Sequence, residues 1–174
     1  YISAGPLATP ELSVEQAFNE IIHLANISKT GAEYARTAIN EADTDKFEEL
    51  RNKLVKYEEI SDRVEFEIAS FLNGVSSEEI SEITSKQIKA MYKIIGELES
   101  LGDSGESISR ILSRKNIHKK KFDDESIKNL NTMAKAVTDA YDVMIANLTA
   151  AHNGTLEEIS NAYNAESNIN TLRN

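Results

Sequence analysis

Apolar residues along this chain recur in steps of three and four over most of its length, the spacing that gathers them into one stripe of a helix. The first stripe runs Val14, Phe18, Ile21, Ala25, Ser28, Ala32, Ala35, Ile39. Its small residues allow a neighbouring helix to approach closely. Ser13 with Gln16 three residues later has the form of a capping box, so the first helix is expected to open at Ser13. Glu41-Ala42-Asp43-Thr44 is a polar break long enough only for a tight antiparallel return. A second stripe follows through Phe47, Leu50, Leu54, Tyr57, Ser61, Val64, Ile68 and Phe71, with an expected end at Asn73-Gly74.

Ser76 with Glu79 predicts the cap of a third helix. That helix carries the stretch Ile94 to Leu112, with Leu98, Leu101, Gly105, Ile108 and Leu112 on its inner face, and runs on to Arg110, Arg114, Lys115, His118 and Lys119 to Lys121. Cations there suit a helix C-terminus, whose free carbonyls carry partial negative charge. They also form the one concentrated basic region and a candidate docking surface. Asp123 or Asp124 is expected to cap a fourth helix through Ile127, Leu130, Ala134, Val137, Tyr141, Met144 and Leu148, ending at Asn153-Gly154. Thr155 with Glu158 opens a fifth through Leu156, Ile159, Tyr163 and Ile169. The whole predicts an all-α, antiparallel helical bundle.

A shift of 109 residues carries Phe18 onto Ile127, and with it the first stripe onto the fourth. The same shift carries the second stripe onto the fifth, Phe47 to Leu156 and Glu48-Glu49 to Glu157-Glu158. One register spanning two helices and the loop between them reads as a duplicated three-helix unit. The chain is then expected to hold an extended lead-in over 1–12, a first three-helix repeat over 13–121 and the first two helices of a second over 122–174. On this reading it is a fragment of a longer protein, and its open apolar seam favours self-association.

Length and composition narrow the chemistry. At 174 residues the chain can bury a real core, and both prolines lie in the first ten residues, leaving long helices uninterrupted. No cysteine is present, so disulfides, thiolate metal sites and Cys nucleophiles are excluded. With 29 acidic against 19 basic residues, the net charge of −10 opposes nonspecific binding to nucleic acid or anionic lipid and fits cations or a basic partner. No run of about 18 apolar residues occurs, so no membrane span is expected within the chain itself.

Glu99 and Asp103, four residues apart, project from one face of the third helix about one turn apart. Two close carboxylates repel unless a cation lies between them. The other reading is a solvated face in which Glu106 pairs with Arg110. Within the same stretch Gly102-Asp103-Ser104-Gly105 spells the tetrapeptide around the nucleophile of chymotrypsin-type proteases. Those are β enzymes with His and Asp partners upstream, whereas this serine sits in a helical pattern. No enzymatic activity is expected.

Three segments, Glu97-Leu98-Glu99-Ser100-Leu101-Gly102-Asp103, Glu59-Ile60-Ser61-Asp62-Arg63-Val64-Glu65 and Asn168-Ile169-Asn170, resemble the signatures of the PhoU family of phosphate-uptake regulators. Tyr1-Ile2 followed by Leu7-Ala8-Thr9-Pro10-Glu11-Leu12-Ser13-Val14-Glu15-Gln16-Ala17 resembles the junction in bacterial sodium/phosphate cotransporter-type membrane proteins, where a transport domain gives way to a cytosolic PhoU-like tail. The resemblance implies a regulatory domain on the cytoplasmic face of the bacterial inner membrane, with the transport domain of its own chain as partner and homo-oligomers as a further option. It also implies a divalent or iron-type metal cluster in the full-length protein, held by the ExxxD carboxylates and an acid of the second helix. Glu99 and Asp103 carry over directly. At the second-helix position stands Tyr57, with Glu166 at the equivalent place in the second repeat, and Glu58 and Asp62 nearby complete the candidate set.

Other readings remain open: a free-standing PhoU-type regulator, a helical adaptor, or a ferritin-like di-metal bundle, to which Glu20-Ile21-Ile22-His23 would contribute an ExxH. His118 and His152 are preceded three residues earlier by Lys115 and Thr149, which do not supply a second such pair.

Overall fold

The computed structural model describes residues 10–118 and 122–152, apart from the side chains of 11, 12 and 115–118. The lead-in before Pro10, the side chains of the basic segment from Lys115 to Lys121 and the segment expected to form a fifth helix lie outside the described residues. Four helices are present, α1 (Pro10–Ile39), α2 (Thr44–Ser76), α3 (Glu82–His118) and α4 (Asp124–Ala151), and no strand occurs among the described residues. The all-α bundle expected from the spacing is the architecture observed.

The predicted stripes are the buried faces. Ile21, Leu24, Ala25, Leu54, Ile68, Leu101, Ile108, Leu112, Met144 and Leu148 are almost wholly shielded from solvent. Each large member contributes about 1.5–3 kcal/mol by leaving water. α1 packs along all three other helices, and α2 and α4 both lie against α1 and α3 without their backbones meeting. α1 and α4 run antiparallel. Asn40 and Asn131 exchange side-chain amide hydrogen bonds (2.8 and 2.9 Å), the Arg36 guanidinium donates to Thr138 Oγ1 (3.2 Å), and Lys29 pairs with Asp142.

Helix ends depart from expectation in three places. α1 is already helical at Pro10, so Ser13 is not its cap and instead lies buried within it. Proline fits the first turn, where its missing N–H has no intrahelical acceptor in any case. α2 does not stop at Asn73-Gly74: burial of Leu72 and Val75 carries it to Ser76, with Ser77 in the right-handed region. The hydroxyls of Ser76 and Ser77 donate to the carbonyls of Leu72 (2.9 Å) and Gly74 (2.7 Å), satisfying the last turn. Ser76 therefore cannot cap α3. That role falls to Ser81, whose Oγ accepts from the Thr84 N–H (3.1 Å), three residues before the first buried position of the helix.

Asp43, in the polar break, accepts from the Lys46 N–H (3.0 Å) to open α2, and Asp123, one of the two residues expected to cap α4, accepts from the Ser126 N–H (2.7 Å).

The core falls into two clusters along the bundle. One gathers Ile21, Leu24, Ile94, Leu98, Leu101, Tyr141 and Met144, and the other Ala35, Ile39, Phe47, Leu54, Ile108, Leu112 and Leu130. Gly31 of α1 sits close against Tyr57, whereas at Gly102 and Gly105 of α3 a Cβ would meet nothing within 4 Å, and space stays open between α2 and α3.

Candidate functional site: an acidic groove between α2 and α3

That space is a groove of about 430 Å³ lined on one side by Ser61, Asp62, Glu65, Phe66 and Ala69 of α2, and on the other by Leu98, Glu99, Gly102, Asp103 and Glu106 of α3. Leu24 and Ser28 of α1 form its floor. Beneath it lies a cavity of about 50 Å³ lined by Tyr57, Glu58, Ser61, Asp62, Gly105, Glu106 and Tyr141 among others. The four candidates from the sequence, Glu58, Asp62, Glu99 and Asp103, are thus brought together in one region, three in the groove and Glu58 in the cavity that adjoins it.

Two further carboxylates, Glu65 and Glu106, belong to the same site and are missed by reading each helix alone. On α2 the acids fall at 58, 62 and 65, on α3 at 99, 103 and 106, both in steps of four then three. Antiparallel packing sets the rows face to face. Glu65 stands against Glu99, Glu58 against Glu106, and Asp62 and Asp103 lie between. The repeated spacing was the signal available. It becomes a site only once the register of α2 on α3 is known.

Crowded like charges show in the proton affinities. Glu58 is pushed up to about 7, first by burial and then by Glu106 and Asp62, while a hydrogen bond with Ser109 works the other way. Glu65 is likewise pushed up to about 7 by burial and by Glu99, Asp62 and Asp103, and in its protonated form it shares a hydrogen bond with Glu99. Burial, Asp62 and Asp103 raise Glu106, and Arg110 opposes them. The Arg110 guanidinium also donates to Ser107 Oγ (3.3 Å).

One oxygen in this region is orphaned. Glu58 Oε1 is fully buried and has no hydrogen-bond partner. Tyr141, 2% exposed, reaches the same cavity from α4, its hydroxyl bonded to Ser28, whose Oγ donates to Ser61 Oγ (3.3 Å). Tyr57, at the position where an acid was sought, lines the cavity with its ring tilted against Tyr34 at 5.4 Å.

The protease-like tetrapeptide has no catalytic setting. Ser104 is wholly buried within α3 and donates to the Ser100 carbonyl (3.3 Å). His23 is exposed on α1 and lines neither space.

The PhoU domain model matches residues 21–112, a stretch holding most of α1, all of α2 and most of α3. The chain belongs to the PhoU domain family. PhoU domains are generally regulators of phosphate uptake rather than catalysts, and the matched stretch contains both acidic rows. No curated protein and no solved structure matches the chain. No helix of the described residues is long and apolar enough to cross a membrane.

The donor chemistry of the PhoU groove suits a hard cation, since every charged group lining it is a carboxylate and Glu58 Oε1 lacks a partner. As they lie, however, no three His, Asp or Glu side chains among the described residues converge on one metal position.

Proposed function

We propose that this PhoU domain is the cytosolic regulatory part of a sodium-dependent phosphate transporter of the bacterial inner membrane. It acts by contact with the transport domain, and cation occupancy of the α2/α3 groove shifts that contact. The observation carrying the reading is that the region matching the PhoU family contains two rows of carboxylates facing each other across an open groove. The resemblance of the stretch from Tyr1 to Ala17 to a transporter junction supplies the transporter context.

In this mechanism the chain's residues do no chemistry. With the groove empty of cations, the six carboxylates repel across it, and protons taken up by Glu58 and Glu65 relieve part of that repulsion. With a cation bound, Glu58 and Glu65 would give up those protons and the two rows would be neutralised. A divalent ion or an iron-type cluster would be held by Glu99 and Asp103, with Asp62 and Glu58 from the facing row, and would supply charge neutralisation. Neutralising the rows would alter the surface presented to a partner beside Phe66, which lines the groove and is 73% exposed. A cation alters the docking equilibrium only by as much as it binds one groove geometry better than the other.

The test is phosphate uptake in cells whose own copy of the gene carries Glu99→Ala and Asp103→Ala, beside a deletion of the domain. Both changes are expected to uncouple uptake from phosphate supply by several-fold in rate. Uptake that keeps its normal response in both strains contradicts the proposal.

A further inference from the structure

We infer that the outward face of α3 is a self-complementary docking surface for a second copy of this chain, the two α3 helices crossing antiparallel at Gly96 about a twofold axis. The inference stands apart from the cation reading, since of the five residues that define the face only Asp103 lines the groove.

The face is a line of residues spaced by seven: Glu82, Lys89, Gly96, Asp103 and Arg110. All five are exposed. Seven residues make nearly two turns, so the line keeps to one side of the helix over about 42 Å. Its charges run negative, positive, neutral, negative, positive. In an antiparallel pair crossing at Gly96, residues equally far from the crossing face each other. Glu82 then meets Arg110 of the second copy and Lys89 meets its Asp103, with both contacts repeated by symmetry. Every facing pair is of opposite charge. A parallel pair would set each charge against its own copy, so the face specifies the antiparallel arrangement. Within one chain these charges are little used: Lys89, Asp103 and Arg110 make no ion pair among the described residues, and Glu82 has only an exposed contact with Lys86 at 3.6 Å.

Gly96 is an independent observation. It sits mid-way along a 37-residue helix, where glycine is less favourable than alanine, and a Cβ there would meet nothing within 4 Å. Gly31 packs close against Tyr57, Gly74 lies in the last turn of α2, and Gly102 and Gly105 line the open space beside α2. Among the described glycines Gly96 alone has no such setting, and a bare Cα at the crossing lets a second helix approach closely. Phe66 adds to this. It follows Glu65, which stands against Glu99, so it lies within about one turn of the Gly96 level, and it is the most exposed of the large apolar side chains described. A second copy crossing at Gly96 shields it.

Sedimentation of the whole chain tests the surface by charge exchange. One variant carries Glu82→Lys with Asp103→Lys, the other Lys89→Glu with Arg110→Glu. Each then has a single sign along the line and is expected to self-associate at least tenfold more weakly than the unaltered chain. An equimolar mixture, in which every facing pair is again opposite, should recover dimers to within about threefold of the unaltered affinity. Gly96→Leu should weaken the dimer tenfold or more with the thermal midpoint unchanged or higher, because leucine is the better helix former. That variant decides the matter if a charge variant does not fold. An unaltered chain that stays monomeric up to about 0.5 mM overturns the inference. So do single-sign variants that dimerise as tightly as the unaltered chain, a mixture of folded variants that stays monomeric, or a Gly96→Leu chain that dimerises normally. None of these readouts involves phosphate uptake, so the regulatory reading stands or falls separately.

Discussion

Glu58 and Glu65 bind protons more tightly in the folded chain than a free glutamate does, both pushed up to about 7 from an ordinary value near 4.5. The unfolded chain therefore binds fewer protons between these values, and stability falls as the pH rises through that window. Their contribution is fully present below about pH 4.5 and lost above about 7. In metal-free buffer the thermal midpoint is expected to be higher at pH 5 than at pH 8, and the difference should shrink in Glu58→Gln and Glu65→Gln. A midpoint that is flat or rises over this range contradicts the crowded-carboxylate picture. At this scale Glu99 and Asp103 were legible because their relation is internal to one helix. Glu65 and Glu106 were not, because each acquires its neighbours from the opposite helix, and Glu106 already had a plausible partner in Arg110 one turn away.

At the scale of elements, apolar spacing located all four described helices, and their ends were harder to read. A hydroxyl or carboxylate three residues before a polar partner occurs at Ser13, Asp43, Ser76 and Ser81, and local pattern cannot rank them. Burial decides: Val75 extends α2 past Gly74 and moves the next cap to Ser81. Asp43 has no competitor, since the break between α1 and α2 is only 40–43. Replacing it with Ala removes the acceptor of the Lys46 N–H and should cost about 1 kcal/mol in urea unfolding, with Asp43→Asn retaining most of it. No loss in Asp43→Ala would show that packing alone sets the start of α2.

Across the whole molecule, the α1/α4 pair has a further regularity. Lys29 meets Asp142 and Asn40 meets Asn131, so polar pairs mark the antiparallel crossing at both of these levels. The groove opens beside Gly102 and Gly105 of α3, where no side chain fills the space facing α2.

The central claim is that this groove, and not the acidic surface at large, responds to cations. Amide chemical shifts followed by nuclear magnetic resonance during a magnesium titration test it most directly. The account predicts saturable shifts confined to residues 58–66 and 99–106, abolished by Glu99→Ala with Asp103→Ala. Shifts that grow without saturation and spread over exposed acids elsewhere, such as Glu33, Glu49 and Glu82, would contradict it.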